Sequence, residues 1–281
     1  MMMKKFVKTA SAIVLSGILM TGCFPSEKAQ PSPSETSSSP TVENTAAEQK
    51  LNDITSAACQ DFFGDDKNYQ YSLSTDLLSN AGSAKYDNMK DPGLFAITSE
   101  SMNELFKETK VEENSKSLIE WLKNEAVKGS DADLGLFEEE YKKLADGCSD
   151  YSVAADWVNV DESNKPGSKP AGLVCSEIFA TPMTLKVYYN QNVLTSNMFK
   201  DAGLYPKDMS SSDSEQLKRT QAYLTEQSEM VDDDAVRNGL LNIRKPYDDA
   251  LNEGDYWSDG MDELLKPLEN ACINSGYDVV R

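Results

Sequence analysis

Hydrophobic side chains recur at helical spacing in two segments of the chain, and each segment ends in a cysteine. Before Cys148, apolar residues stand four, seven and eleven positions earlier, at Leu144, Tyr141 and Phe137. Before Cys272 the same three spacings again hold apolar residues, namely Leu268, Leu265 and Met261. Positions with these spacings share one face of an α-helix. The pattern therefore predicts two amphipathic helices, each with its cysteine on the buried face.

Helix signals also dominate the remainder of the chain from Gln49 onward. Ser101 and Glu104 have the spacing of a capping box, which predicts that a helix starts at Met102. Proline and glycine interrupt the hydrophobic pattern and predict where helices break. The other predicted helices are one around Trp121 that ends at Gly129, Ser214–Met230, Asp234–Ile243 with breaks at Pro246 and Gly254, and a last helix capped by Ser258.

An internal repeat organises these helices into two copies. Cys59 and Cys175 are each followed by an acidic residue two positions later and by phenylalanine four positions later. Ten residues after each cysteine begins a short alternating stretch that predicts an extended segment, Tyr69-Tyr71-Leu73 in one copy and Leu185-Val187-Tyr189 in the other. The predicted fold is mainly α, with two tandem, similar, disulfide-closed helical subdomains. They cover residues 49–160 and 173–281, joined by a linker at 161–172 that contains Pro166-Gly167.

The cysteine count fits this architecture. Of five cysteines, Cys23 stands apart directly after the N-terminal leader, and an even remainder in an exported chain predicts two disulfides with three possible pairings. The repeat favours Cys59–Cys148 and Cys175–Cys272, one bond within each copy. The main alternative pairs Cys59 with Cys272 and Cys148 with Cys175, which would make one interwoven domain.

The leader at residues 1–22 has a basic start and a short apolar run from Ala10 to Met20, as in an export signal. Its end, Leu19-Met20-Thr21-Gly22-Cys23, resembles the lipobox of bacterial lipoproteins. That resemblance implies a diacylglyceryl anchor on Cys23, with cleavage just before it. Two acyl chains hold a protein on a bilayer stably, whereas one does not. Residues 23–48 are rich in serine, threonine and proline and predict a disordered tether. We therefore expect the protein to be anchored by lipid to the outer face of the cell membrane of a Gram-positive bacterium.

Charge and composition narrow the possible functions. The chain carries a net charge of −20, so neither nucleic acid nor anionic lipid headgroups are expected partners. It contains no histidine, which excludes Ser-His-Asp catalysis and His-ligated zinc. Asp131–Gly135 starts like a calcium loop but has leucine where glycine is required, and the acids at Asp232–Asp234 and Asp65-Asp66 are interpreted as solvated turn residues. We predict no metal site and no cofactor.

The function that fits best is a non-catalytic surface lipoprotein that binds a ligand or a cell-envelope partner. Aromatic residues are enriched at recognition surfaces, and Tyr256-Trp257 beside Gly254 is the strongest candidate for ligand contact. The alternative is a carboxylate-dependent extracellular hydrolase of cell-wall glycan or polysaccharide, which needs two acids facing each other across a groove. A solute-binding protein with two α/β lobes ranks third, because alternating strands and helices are missing.

Overall fold

The computed structural model describes residues 42–69, 72–84, 92–160, 165–180, 198, 210–252 and 260–277. In these ranges the chain forms ten α-helices and two short 3-10 helices at Asp65–Lys67 and Ala126–Asp131. The α-helices are α1 (Val42–Phe63), α2 (Leu73–Ala84), α3 (Pro92–Phe106), α4 (Glu112–Asn124), α5 (Leu134–Cys148), α6 (Val153–Val158), α7 (Ala171–Phe179), α8 (Ser211–Met230), α9 (Asp234–Asn252) and α10 (Met261–Asn274).

Both cysteine-bearing helices have the buried face that their spacing predicts. In α5 the residues Phe137, Tyr141, Leu144 and Cys148 are all buried. Asp133 caps α5 by accepting a hydrogen bond of 3.0 Å from the backbone N–H of Leu136. In α10 the equivalent buried residues are Met261, Leu265, Leu268 and Cys272.

The predicted disulfide pairing is confirmed. Cys59 on α1 is bonded to Cys148 on α5, and Cys175 on α7 is bonded to Cys272 on α10. The Cα atoms are 5.6 Å and 5.8 Å apart, within the range of ordinary disulfides. The predicted mainly α fold is also confirmed by the helices of the described residues.

Each disulfide lies in its own hydrophobic core. The first core surrounds Cys59–Cys148 and includes Phe62, Met102 and Trp121. The second surrounds Cys175–Cys272. Its large side chains include Leu224, Leu240, Ile243, Tyr247, Leu265 and Leu268. We call residues 42–160 the first half and residues 165–277 the second half.

Contacts between successive helices follow the same order in the two halves. In the first half α3 packs on α4 and α4 on α5, and in the second α8 packs on α9 and α9 on α10. This order fits a duplication, which remains a prediction. The halves also share contacts: Leu173 and Met230 belong to second-half helices but pack in the first core. Residues 42–281 accordingly form one compact unit.

The predicted extended segment of the first copy is wrong. Tyr69 lies in a turn with a φ of 66°, and Leu73 is the first residue of α2. Within the described ranges there is no β-strand, only an isolated parallel bridge between Lys169 and Val231. Tyr69 and Leu73 each pack against the first core, one from a turn and the other from a helix, and do not lie on one face of a β-strand. The matching stretch at residues 185–189 lies outside the described residues.

Two predicted boundaries differ from the structure. α1 begins at Val42, so its first turns occupy the end of the segment assigned to the tether. The side chains of residues 46–50 are exposed, which explains why no hydrophobic pattern marks this start. The predicted linker is not a free connection either, because its Lys169 is buried and α7 already begins at Ala171.

Three predicted helix signals are also wrong. Ser101 lies inside α3, which begins with Pro92, a residue favoured in the first turn. α9 continues through Pro246 because residues beyond it, such as Tyr247, are buried against the second core. α10 takes Gly260 as its N-cap, without a side-chain bond, and Ser258 lies outside the described residues.

Candidate functional site

The predicted ligand-contact residues cannot be placed against the fold. Tyr256 and Trp257 lie outside the described residues, and so does the predicted lipidation site Cys23. Trp157, an aromatic side chain near the end of the first half, is buried in the first core. The site described below therefore consists of residues that the sequence did not single out for ligand contact.

A cleft of about 480 Å³ opens where the two halves meet. This volume lies within the range of pockets that hold small molecules. Four segments line it: the turn after α1, the N-terminus of α7, the turn between α8 and α9, and the end of α10. The lining residues are Asn68, Tyr69, Pro170, Ala171, Gly172, Asp232, Asp233 and Ser275.

The first half contributes Asn68 and Tyr69 from a tight turn. Both have positive φ angles, 54° and 66°, a conformation that non-glycine residues rarely adopt. The backbone N–H of Tyr69 donates to the carbonyl of Gly64, where φ is 82°. A side chain on Gly64 would bring its Cβ within 2.9 Å of the Cβ of Ser72. Glycine at position 64 thus allows the turn to close and to present Asn68 and Tyr69 to the cleft.

Hydrogen bonds across the junction hold this turn against the second half. The hydroxyl of Ser176 on α7 donates to the backbone carbonyl of Tyr69 at 2.8 Å. The side-chain amide of Asn68 donates to the carbonyl of Gly276 at 2.7 Å. Gly172 permits this close approach, since a Cβ there would stand 2.6 Å from the Asn68 Oδ1. The cleft therefore depends on both halves being docked.

The two aspartates of the cleft cap helices. Asp232 Oδ1 accepts the backbone N–H of Ala171 at 2.9 Å, at the start of α7. Asp233 Oδ1 accepts the N–H groups of Ala235 and Val236 at 2.8 Å and 2.9 Å, at the start of α9. Negative side chains are favourable at helix N-termini because the helix dipole is positive there. Their backbone partners fix both carboxylates at the wall of the cleft.

A third carboxylate, Asp65, lies outside the lining but influences the pKa of Tyr69 within it. It accepts hydrogen bonds from the hydroxyl of Ser152 and from the backbone N–H groups of Val153 and Ala154. Burial nevertheless raises the pKa of Asp65. Burial, with the charges of Asp65 and Asp232, also raises the pKa of the Tyr69 hydroxyl. The tyrosine thus stays neutral in a region of negative potential.

Lys169, the residue before Pro170 of the cleft lining, is completely buried. Lys169 has 0% of its surface exposed, and its Nζ donates to Glu177 Oε2 at 2.7 Å and to Gln227 Oε1 at 3.0 Å. The same nitrogen lies 5.6 Å from the centre of the Trp157 ring, within the range of a cation–π contact. This ring belongs to the first half, so the ammonium joins the two halves.

Glu177 is the acceptor at the centre of this cluster. The hydroxyl of Tyr223 donates to Glu177 Oε2 at 2.7 Å. Burial, the charge of Glu177 and this hydrogen bond raise the pKa of Tyr223 well above its ordinary value. Gln227 is also completely buried, and its Nε2 has no hydrogen-bond partner among the described residues. The cluster buries one positive and one negative charge between the halves.

The sequence held a weak signal for this cluster. Glu177 is the acid two residues after Cys175, and Asp61 stands in the same place after Cys59. Both pair with a lysine, but Asp61–Lys67 is exposed whereas Lys169 is buried. The repeat thus identifies the position of the acidic residue in each copy, but only the structure shows that the lysine paired with Glu177 is the buried one.

Comparisons with protein-family models, with curated proteins and with solved structures found no match for the chain. Among the described residues, no three acidic or cysteine side chains group in a way that could hold a metal ion. No helix within the described ranges has the length and apolar character needed to span a membrane.

Proposed function

We propose that the protein is a membrane-anchored surface lipoprotein that binds a ligand or a cell-envelope partner without catalysing a reaction on it. The anchor is the diacylglyceryl group that the leader and Cys23 imply. The binding role is supported by the cleft at the junction of the halves, whose lining comes from both of them.

The lining suits recognition better than chemistry. Asp232 and Asp233 each hold a helix N-terminus through backbone hydrogen bonds. The hydroxyl of Ser275 likewise donates to the backbone carbonyl of Cys272 and, among the described residues, has no base hydrogen-bonded to it that could activate it as a nucleophile. The neutral part of the lining is one tyrosine, one asparagine, one serine and small backbone-exposing residues. These groups provide a ring face, hydrogen bonds and negative charge for a bound partner.

Blocking the cleft tests this role without assuming the chemistry of the ligand. Ser275 lines the cleft and is exposed, so Ser275→Trp should fill the space without disturbing either core. Ser149→Trp is a matched control: like the Ser275 hydroxyl, its hydroxyl donates to the backbone carbonyl three residues earlier, but it lies outside the cleft lining.

The measurement is retention of a soluble chain of residues 24–281 on washed cell-envelope material. We expect Ser275→Trp to reduce retention and Ser149→Trp to leave it at the wild-type level. Equal retention of both variants and wild type, or no retention of any of them, would refute binding through the cleft.

A further inference from the structure

The charge of the cleft indicates which class of ligand it takes. The lining includes two carboxylates and no lysine or arginine, and the charge of Asp65 also acts on Tyr69 of the lining. Asp232 and Asp233 each use Oδ1 for a helix cap, and no hydrogen bond within the described residues engages Oδ2 of either. Each of these two lining carboxylates thus has one oxygen without a hydrogen-bond partner among the described residues.

The ring of Tyr69 complements these carboxylates. It lines the same cleft and stays uncharged, because burial and the neighbouring carboxylates raise the pKa of its hydroxyl. The face of a neutral aromatic ring attracts cations, and more strongly in a partly desolvated site. A carboxylate pair beside an aromatic face is therefore complementary to a positively charged group with an aliphatic body.

A bare metal ion fits this lining poorly. Calcium takes six to eight oxygen ligands. The described residues offer no group of three acids arranged to hold a metal. A cleft of about 480 Å³ is also far larger than one ion requires. An organic cation fits better, because its ammonium group needs only a few acceptors and its carbon chain fills volume.

We propose that the cleft binds a small organic cation through its ammonium group, with Asp232 and Asp233 as the charged acceptors and Tyr69 as the aromatic contact. This assignment rests on the proposed binding function and names the chemistry of its ligand. The ammonium donates hydrogen bonds to the two Oδ2 atoms, and the aliphatic body lies along the other lining residues, which include Pro170 and Ser275.

The probe is 1,5-diaminopentane, titrated by calorimetry into the soluble chain of residues 24–281. Its neutral analogue 1,5-pentanediol has the same carbon chain without charge. We expect saturable binding of one diamine per chain and no binding of the diol. Binding of both compounds alike, or of neither, would overturn the assignment of an ammonium ligand.

A double variant, Asp232→Asn with Asp233→Asn, removes both charges and keeps both helix caps. The amide oxygen of asparagine can still accept the backbone N–H groups that Oδ1 accepts now. We expect its affinity for the diamine to fall about tenfold or more. The matched control, Glu104→Gln with Glu120→Gln, removes two exposed charges outside the cleft and should bind like wild type.

Two outcomes separate this inference from the function on which it rests. If both double variants weaken diamine binding equally, the attraction comes from the overall charge of the chain and the assigned site is wrong. If the diamine does not bind while Ser275→Trp still abolishes envelope retention, the binding function stands and the ammonium ligand is refuted.

Discussion

The ion pair of Lys169 and Glu177 allows a prediction of which single substitution destabilises the protein more, because the two side chains differ in exposure. Lys169 is 0% exposed, whereas the side chain of Glu177 is 19% exposed. Removing one partner of a buried ion pair leaves the other charge without compensation, and this commonly costs about 3–5 kcal/mol. The two single substitutions should therefore differ, because the charges that they leave behind differ in exposure.

Glu177→Gln should be the more damaging change. It leaves a fully buried ammonium with only neutral partners, namely the amide oxygens at positions 177 and 227 and the face of Trp157. We expect a loss of about 3–5 kcal/mol in the free energy of unfolding. Lys169→Met should cost less, about 1–3 kcal/mol, because Glu177 keeps the hydrogen bond from Tyr223 and partial access to water.

The double variant should recover much of this loss. With both charges gone, methionine fills much of the volume of the lysine stem, and a neutral amide takes the place of the carboxylate. Replacing a whole buried pair by uncharged groups is often close to neutral. We expect Lys169→Met with Glu177→Gln to lie within about 1–2 kcal/mol of wild type.

Urea unfolding of residues 24–281, followed by circular dichroism at 222 nm, measures all four proteins of this double-mutant cycle. Tryptophan fluorescence gives a second probe, to which Trp157, whose ring lies 5.6 Å from the lysine Nζ, contributes together with Trp121 and Trp257. A greater cost for Lys169→Met than for Glu177→Gln would refute the order derived from exposure. A coupling energy below about 0.5 kcal/mol would show that the pair is not held together in solution.

Three further predictions concern packing and the N-terminus. Gly239→Ala should destabilise the protein by about 1–2 kcal/mol in urea unfolding, because the new Cβ would lie 2.9 Å from the Cα of Leu268. Gly135→Ala, whose Cβ meets only a carboxylate oxygen at 3.3 Å, should be neutral or stabilising, and an equal loss in both would refute the packing explanation. A chain of residues 49–281 should keep cooperative unfolding, since residues 46–50 are exposed, and loss of cooperativity in circular dichroism would contradict this. Cys23→Ala should leave the leader uncleaved, and a variant that is processed to the same mass as wild type would disprove the lipobox.

The sequence predicted those parts of the fold that depend on local periodicity. The faces of α5 and α10 and both disulfides followed from apolar residues and cysteines at helical spacing. Buried side chains at such spacing leave a direct trace in the sequence. The start of α1 leaves no such trace, because residues 46–50 near its beginning are exposed and have no buried face.

Tertiary contacts decided the features that the sequence did not reveal. The turn at Asn68 and Tyr69 has positive φ angles in residues that give no glycine signal. Pro246 stays within α9 because packing beyond it outweighs the lost hydrogen bond. Lys169 resembles any lysine of a polar linker, and its burial depends on Glu177, Gln227 and Trp157, which come from three separate segments. The cleft itself arises only from the docking of the two halves.

The placement of the disulfides sets how the protein responds to proteolysis. Each bond closes a loop within its own half, from Cys59 to Cys148 and from Cys175 to Cys272. A protease that cuts once inside either loop leaves both pieces covalently joined and still connected to the N-terminus. Only a cut in the segment between the loops, residues 149–174, frees the second half from the first. A molecule nicked inside a loop thus remains one covalent unit, whereas a cut between the loops leaves the two sides of the cleft on separate chains.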